Sequence, residues 1–285
     1  MSFSSFSAHA QKAAKAITHL WETGKFVSPP ETIAVLPDKA GITFGKSQTT
    51  ENSGGLWKLL FVSYPAKDGT VNFSPYKELL FKKGDDKSKR STFDPVEKEY
   101  SGGLTNDAEF KELLVHAAKD DPAMSEAQDL HFHENFFKPA LFICTDEENG
   151  FNLKLPLSLA FVYDFCIQSG PGSRWNDGTA FDRLSEWNSD YEEPDDIDDD
   201  DEDGAEKAWL RSMCIKRDNF LAGIPHARFS RYRTGSMLKM MKEGSSTWNL
   251  QTPLSIMFLR KDYTGKADKV FTLTDADLEH IKLTE

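Results

Sequence analysis

The segment 153–168 constrains the fold of this 285-residue chain more than any other stretch of the sequence. Most of its residues are apolar on every side of the helix that they would form, and such a helix is buried in a protein interior. Ser158 and Asp164 interrupt the apolar run, which is also too short to span a membrane. We therefore expect a central buried helix in which Asp164 finds an arginine partner, because an unpaired buried charge is costly.

The spacing of apolar residues predicts further helices on both sides of this segment. They lie at 7–22, 56–64, 106–118, 121–137, 205–222 and 232–243. Short β-type runs occur over 32–44 and 255–259, whereas 66–103 is polar and has the composition of loops. The pattern predicts a mainly α fold with a small β element, in a single domain of two lobes that spans 1–285.

Acidic residues are concentrated between Asp190 and Asp203, where eleven acids and no base occur. The formal net charge of the whole chain is −12, so the rest of it carries only −1. Without a basic stripe to neutralise phosphates, a nucleic-acid partner is disfavoured. We expect a solvated acidic loop over 190–204, which could also attract a cationic polymer.

Three cysteines, Cys144, Cys166 and Cys214, have no metal-type spacing and do not suggest a disulfide scaffold. Met1 to Ala16 has no apolar stretch behind a basic start, so no signal peptide is visible. We expect a cytoplasmic protein, or one exported by a route that needs no cleaved signal.

Two signals for metal binding fail on geometry. His131 and His133 lie two residues apart, and on a helix they would point about 200° from one another, so they cannot share a metal. The run Asp199–Gly204 matches the first half of a calcium loop, but its twelfth position is Leu210 instead of a glutamate. The sequence therefore predicts no metal.

Glu22 is the first candidate catalytic residue. It follows Trp21 at the end of the helix predicted over 7–22, directly before the break at Gly24. A carboxyl group that lies against an aromatic ring loses hydration, so it can hold a proton for a leaving group. A solvated acid at a helix end is the alternative interpretation.

Asp38 is the second candidate, in a Pro-Asp-Lys-Ala-Gly turn. The run that follows it, 41–50, is dense in small, hydroxyl and amide side chains, as a sugar-binding surface requires. Its candidate substrate-binding residues are Thr43, Ser47, Gln48, Thr49 and Thr50. Two carboxylates on opposite sides of a cleft can protonate a glycosidic oxygen and activate a water. An ordinary turn residue is the alternative interpretation of Asp38.

Beyond these two acids, a series of short segments with a recognisable order and spacing is distributed along most of the chain. They are His19–Gly24, Asp38 with Gly41–Gly45, Ser53–Leu56, Met124–Asp129, Phe136–Ala140, Phe161–Asp164, Gly170–Gly172, Ile215–Arg217, Ser230–Arg233 and Trp248–Leu254. Their shared order and spacing resemble those of the family 46 glycoside hydrolases, the chitosanases, and related members of the lysozyme superfamily.

The resemblance implies a lysozyme-like α+β fold with a substrate cleft between its lobes. It also implies an endo-acting, inverting hydrolase of β-1,4-linked amino-sugar polysaccharides, with Glu22 as general acid and Asp38 as general base. A buried Asp–Arg–Arg network supports the acid in the family, and the matching positions here are Asp164, Arg217 and Arg231. A salt bridge that only holds the lobes together predicts the same pairing. We expect a monomer that binds polysaccharide, needs no cofactor and has no membrane partner.

Two departures from the chitosanases leave alternatives open. Gly55 stands where they carry an aspartate that grips a glucosamine amine, which favours peptidoglycan as the substrate of a muramidase directed at a cell wall. The loop between Glu22 and Gly41 differs in length and composition, so Glu51 is a fallback for the base. A non-catalytic carbohydrate-binding relative, which has lost the base, is the third alternative.

Overall fold

The computed structural model describes residues 6–172, 177–194, 201–225, 227–261 and 265–284. Helices dominate, and the strands form short antiparallel sheets, as the sequence predicts. The chain divides into two units, the first comprising Met1–Trp21 and Glu134–Leu283 and the second Glu22–His133 with Thr284–Glu285. The expected single catalytic domain stays a prediction.

The helices and strands that the structure describes have the following bounds. The helices are α1 (Ala8–Thr23), α2 (Gly55–Lys58), α3 (Ala108–Asp120), α4 (Pro122–Phe132), α5 (Lys138–Cys144), α6 (Pro156–Ser169), α7 (Ala180–Ser189), α8 (Gly204–Ala222), α9 (Tyr232–Met240), α10 (Ser245–Trp248) and α11 (Asp275–Glu279). The strands are β1 (Ile33–Leu36), β2 (Gly41–Phe44), β3 (Thr49–Thr50), β4 (Thr92–Asp94), β5 (Glu99–Ser101), β6 (Pro171–Gly172), β7 (Asp177–Gly178), β8 (Leu254–Phe258) and β9 (Lys269–Leu273).

Helix α1 buries the apolar face that its sequence spacing predicts. The buried residues include Ala10, Ala13, Ala14, Ile17, Leu20 and Trp21. The Trp21 indole donates a hydrogen bond to the carbonyl oxygen of Met257 at 3.3 Å, and the Tyr232 hydroxyl donates to the carbonyl oxygen of Trp21. These bonds tie the end of α1 to β8 and α9 inside the first unit.

Helix α6 forms the core of the first unit. It is buried from Leu157 to Cys166, including Asp164, which confirms the expected central helix. Trp187 of α7 stacks on Phe165 with ring centroids 5.7 Å apart, and α5 packs along the same helix. Nearby, β8 and β9 form a five-pair antiparallel hairpin that packs against α9.

The second unit is built around the sheet β1–β2–β3. Strand β2 is central and buried throughout, pairing Ile33 with Phe44 on one side and Thr43 with Thr50 on the other. A π-helical turn, Leu59–Ser63, extends α2 into the same core. The buried apolar cluster consists of Ile42, Phe44, Leu56, Leu59, Leu60, Tyr64, Phe73, Leu80, Leu104, Phe110, Leu114, Ala117, Ala118, Met124 and Ala127.

Helix α4 begins as the sequence predicts, with Pro122 in its first turn and Asp121 as its N-cap. The Asp121 carboxylate accepts hydrogen bonds from Ala123 N at 2.9 Å, Thr70 N at 2.8 Å and the Tyr64 hydroxyl. Burial by itself would raise the pKa of Asp121, but these donors together outweigh it and lower the pKa to about 2.

The segment 66–103, which the sequence predicts to be loops, also contains the hairpin β4–β5. Its central pair, Phe93 and Tyr100, brings two aromatic rings within 5.1 Å. Helices α5 and α7 were also not predicted, because α5 is short and α7 is largely polar.

All three cysteines are buried and free, as expected, and burial raises the pKa of each thiol. None of the helices in the described ranges is long and apolar enough to cross a membrane.

Candidate active site

Glu22 lies in the last turn of α1 and is half-buried. The helix ends one residue later, and Gly24 adopts a positive φ of 78° that favours glycine. The Thr23 hydroxyl oxygen accepts hydrogen bonds from Lys25 N at 3.3 Å and from the Ser28 hydroxyl. These bonds hold the turn that follows Glu22.

Asp38 lies on the turn that joins β1 to β2, and its side chain is exposed. Its Oδ1 accepts a hydrogen bond from Ala40 N at 3.0 Å, as a turn aspartate does. The carboxylate is nevertheless open to water. The geometry is therefore compatible both with a turn residue and with a general base.

Tyr100 joins the two ends of the Asp38 turn. Its hydroxyl donates to the carbonyl oxygen of Leu36 at 2.6 Å and accepts from Gly41 N at 3.3 Å. Leu36 is the last residue of β1 and Gly41 is the first of β2. One side chain thus links both strands at the point where the turn leaves the sheet.

Asn52 holds the middle of the same turn. Its side-chain amide donates to the carbonyl oxygens of Lys39 at 2.8 Å and Ser91 at 2.8 Å, and its backbone N donates to the carbonyl oxygen of Ala40 at 3.0 Å. Neither Asn52 nor Tyr100 belongs to a local sequence motif, so nothing in the sequence marks them as residues of the site. Together they fix four backbone groups around Asp38.

Glu51 has no exposed surface and its carboxylate is surrounded by donors. It accepts hydrogen bonds from Ile42 N, Leu104 N, the Ser91 hydroxyl and the Thr105 hydroxyl. A Cβ at Gly41 would lie 2.8 Å from its Oε2, so the site also requires glycine there. Glu51 as the fallback base is therefore wrong, because this carboxylate is saturated by donors and closed to water.

The five candidate sugar-binding residues differ in exposure. Thr43, Ser47 and Thr49 are buried, whereas Gln48 and Thr50 are half-buried. The Thr43 hydroxyl donates to a β1 carbonyl oxygen at 3.1 Å, so it holds the hairpin. The hydroxyls of Ser47 and Thr49 are buried and have no hydrogen-bond partner among the described residues, so within the segment 41–50 they still have a donor and an acceptor to offer. Their role in sugar binding stays a prediction.

The loop between β2 and β3, which carries Ser47, is anchored to α4. The Gln128 side chain accepts from Lys46 N at 2.9 Å, and Lys46 Nζ lies 2.7 Å from Asp129 Oδ2. A Cβ at Gly45 would lie 2.6 Å from the Gln128 carboxamide, so glycine permits this close approach. The predicted sugar-binding run therefore stands on a fixed scaffold.

Asp164 is fully buried and paired with two arginines. Its Oδ2 lies 2.6 Å from Arg217 and its Oδ1 lies 2.9 Å from Arg233. Arg217 also donates to the Gln168 side chain. The expected pairing of Asp164 with Arg217 is confirmed.

Arg231 was the wrong choice for the second arginine on Asp164. It pairs instead with Asp218, its Nε lying 3.1 Å from Oδ1. Arg231 and Arg233 are two residues apart at the start of α9, so their side chains point to different sides of the helix. The resemblance implied by the sequence points to the right segment, 230–233, but to the wrong one of its two arginines.

Of the two histidines considered for a metal, His131 is buried and His133 is half-buried. Burial, with a smaller effect of the Lys58 charge, lowers the pKa of His131 to about 3. Within the ranges that the structure describes, no group of three or more His, Cys, Asp or Glu residues could hold a metal ion. Part of the acidic loop, 195–200, lies outside the described residues.

No protein-family model and no curated protein matches this sequence. Solved structures do match it. The family 46 chitosanase of Gynuella sunshinyii, solved with chitotetraose, gives a TM-score of 0.67 at 20% identity, covering 94% of this chain and 98% of that one. The native chitosanase of Bacillus subtilis MY002 gives 0.68 at 20% identity, covering 93% and 98%. Chitosanase OU01, solved with substrate, gives 0.66 at 17% identity, covering 93% and 96%.

The likeness extends over nearly the whole length of both chains in each comparison. The chain therefore has the fold of the chitosanases, which confirms the expected mainly α, lysozyme-like α+β architecture. Fold alone does not define an activity, which depends on the side chains of the site.

Proposed function

We propose that this protein is a glycoside hydrolase that cleaves β-1,4-linked amino-sugar polysaccharides, with chitosan as the first candidate substrate. The observation that carries the proposal is the fold likeness to chitosanases over at least 93% of the chain. Two carboxylates give further support: Glu22 lies in the last turn of α1, and Asp38 lies on the turn between β1 and β2, where it accepts a hydrogen bond from Ala40 N.

Glu22 acts as the general acid and Asp38 as the general base. Glu22 protonates the glycosidic oxygen as the bond from that oxygen to the anomeric carbon breaks. Asp38 takes a proton from a water whose oxygen forms the new bond on the opposite face of the sugar. The products carry an inverted anomeric configuration, and the reaction needs no cofactor. The exposure of Asp38 suits this role, because its carboxylate must reach water.

The network of Asp164, Arg217 and Arg233 supports the acid in this proposal. Its three members lie on α6, α8 and α9, and two of the contacts are charge-assisted hydrogen bonds of 2.6 and 2.9 Å. Arg233 replaces Arg231 in the network that the family resemblance implies.

The charge of the chain favours chitosan among the amino-sugar polymers. Chitosan is a polycation when its amines are protonated, and the eleven acids between Asp190 and Asp203, which carry nearly all of the net charge of −12, would attract such a polymer at low salt. Gly55 favours a different substrate, because it supplies no carboxylate to bind the amine of a glucosamine unit. For this reason a muramidase that acts on peptidoglycan is the second candidate.

The test is release of reducing ends from chitosan and from purified peptidoglycan, measured in parallel. We expect the wild type to cleave one polymer, and Glu22→Gln and Asp38→Asn each to lower kcat by about 100-fold or more. Asn at position 38 can still accept the hydrogen bond from Ala40 N, so the turn is preserved. Glu31→Gln, the same change at a half-buried glutamate of the second unit, serves as the control and should keep wild-type activity.

Cleavage of peptidoglycan alone would select the muramidase. Equal and negligible turnover by the wild type and both variants on both polymers would overturn the hydrolase and leave a carbohydrate-binding protein as the better account.

A further inference from the structure

The turn that carries Asp38 is held by a residue about 60 positions away in the sequence, on a hairpin that is separate from the sheet β1–β2–β3. The Tyr100 hydroxyl acts as a donor toward the end of β1 and as an acceptor toward the start of β2. A single oxygen therefore bridges Leu36 and Gly41, which also face each other in the pairing of β1 with β2. If the hydroxyl is removed, the Leu36 carbonyl oxygen and the Gly41 N–H each lose their hydrogen bond to Tyr100.

Tyr100 is itself firmly placed. It is only 8% exposed, its ring packs on Phe93, and the Asn106 side chain donates to its backbone carbonyl oxygen at 2.7 Å. Hydrogen bonds in such a buried setting are stronger than in water. The position of the hydroxyl is therefore fixed by the packing of the ring and by the hydrogen bond to the backbone of Tyr100.

We propose that Tyr100 is a positioning residue for the reaction at Asp38, which it serves by holding both ends of the turn that presents the carboxylate. The inference rests on the function proposed above. A general base must accept a hydrogen bond from a water whose oxygen lies about 3–3.5 Å from the anomeric carbon, and a displacement of about 1 Å can cost 100-fold in rate. Tyr100 touches neither substrate nor water in this role, and it acts only through the backbone.

The ionisation state of Tyr100 fits this role. Burial raises its pKa, the nearby charge of Asp38 also raises it, and the hydrogen bond from Gly41 has the opposite effect. The hydroxyl therefore stays protonated at neutral and mildly alkaline pH. It can donate to Leu36 throughout the range in which a hydrolase would be assayed.

Tyr100→Phe tests the proposal, because it removes the hydroxyl and keeps the ring that packs on Phe93. Tyr64→Phe is the matched control. Tyr64 is a buried tyrosine of the same unit, and its hydroxyl donates to Asp121 and accepts from Val71 N at 3.0 Å, contacts that do not involve the turn. Both variants lose one hydroxyl that makes two hydrogen bonds, and Tyr64→Phe should lose at least as much stability, because its hydroxyl binds a carboxylate.

We expect Tyr100→Phe to lower kcat about tenfold or more, with KM changed less than about twofold, whereas Tyr64→Phe keeps the wild-type kcat. In the Asp38→Asn background, Tyr100→Phe should cause no further loss, because the base it positions is already gone. Equal kcat values for the two tyrosine variants, or a full additional loss in the Asp38→Asn background, would overturn the positioning role.

Amide hydrogen exchange of residues 36–41 provides a measurement that does not depend on activity. Exchange at Gly41 should accelerate in Tyr100→Phe and stay unchanged in Tyr64→Phe. Unchanged exchange in both variants would refute the claim that the Tyr100 hydroxyl stabilises the turn that carries Asp38. If the wild type is inactive and exchange is still faster in Tyr100→Phe, the proposed hydrolase activity is refuted, and so is the positioning role of Tyr100 in catalysis. The hydrogen bonds from Tyr100 to the Asp38 turn would still be established.

Discussion

Replacement of Asp164 by Asn should destabilise the first unit more than any other single loss of charge that the structure suggests. Asp164 has no exposed surface, and both of its carboxylate oxygens bind an arginine, at 2.6 and 2.9 Å. Asn has nearly the same shape, so packing is conserved, but the charge is lost and one acceptor oxygen is replaced by an NH2 group that cannot accept from an arginine. Arg217, which is 1% exposed, then keeps a positive charge that no anion compensates at this position.

The size of the effect follows from this burial. Breaking a buried ion pair by removing one partner costs about 3–5 kcal/mol, because the remaining charge stays desolvated. The pair Arg231–Asp218 is the contrast within the same unit, since its side chains are 30% and 18% exposed. Water screens that pair, so Asp218→Asn should cost about 1 kcal/mol.

Urea denaturation followed by circular dichroism measures both variants under the same conditions. The midpoint should fall strongly for Asp164→Asn and slightly for Asp218→Asn. Equal shifts, or a larger shift for Asp218→Asn, would show that the buried charge of Asp164 is not what stabilises the network.

Two further predictions concern buried titratable groups of the second unit. The pKa of His131 is about 3 in the folded chain and about 6.5 when unfolded, so only the unfolded state binds the proton between these values. Stability should therefore fall by about 1.4 kcal/mol for each pH unit below about 6, and His131→Gln should remove that slope in urea titrations at several pH values. The exposed His116→Gln serves as the control, and an unchanged slope in His131→Gln would contradict the assignment. Glu51→Gln should lower the free energy of unfolding by about 2–4 kcal/mol, because the new amide faces donors that need an acceptor. Thermal unfolding beside Glu31→Gln measures this, and an equal Tm for the two variants would count against it.

Much of the fold could be predicted from apolar spacing. The buried face of α1, the central position of α6 and the start of α4 at Asp121-Pro122 all follow local rules of burial and capping. The hairpin β4–β5 escaped prediction because its strands are three residues long and mostly polar on the exposed side. Such strands form only through pairing with each other, which leaves little trace in a local pattern.

Within the candidate site, the pairing of Asp164 could be predicted from its residue type, whereas contacts between groups far apart in the sequence could not. Asp164 needed a cation because it interrupts an apolar helix, and the structure supplies one in Arg217. The choice between Arg231 and Arg233 depends on the rotation of α9, which spacing alone does not fix. Tyr100 and Glu51 act on groups far along the chain, so their roles become visible only in three dimensions.

The most direct test of the central claim is the anomeric configuration of the first product released from a chitosan hexamer, followed by proton NMR during digestion. Attack by a water that Asp38 activates, with Glu22 protonating the leaving oxygen, predicts that the α-anomer appears first and converts to the β-anomer by mutarotation. The β-anomer appearing first would contradict inversion and the assignment of Asp38 as the base for water. Absence of cleavage in both the hexamer and purified peptidoglycan would contradict the hydrolase itself.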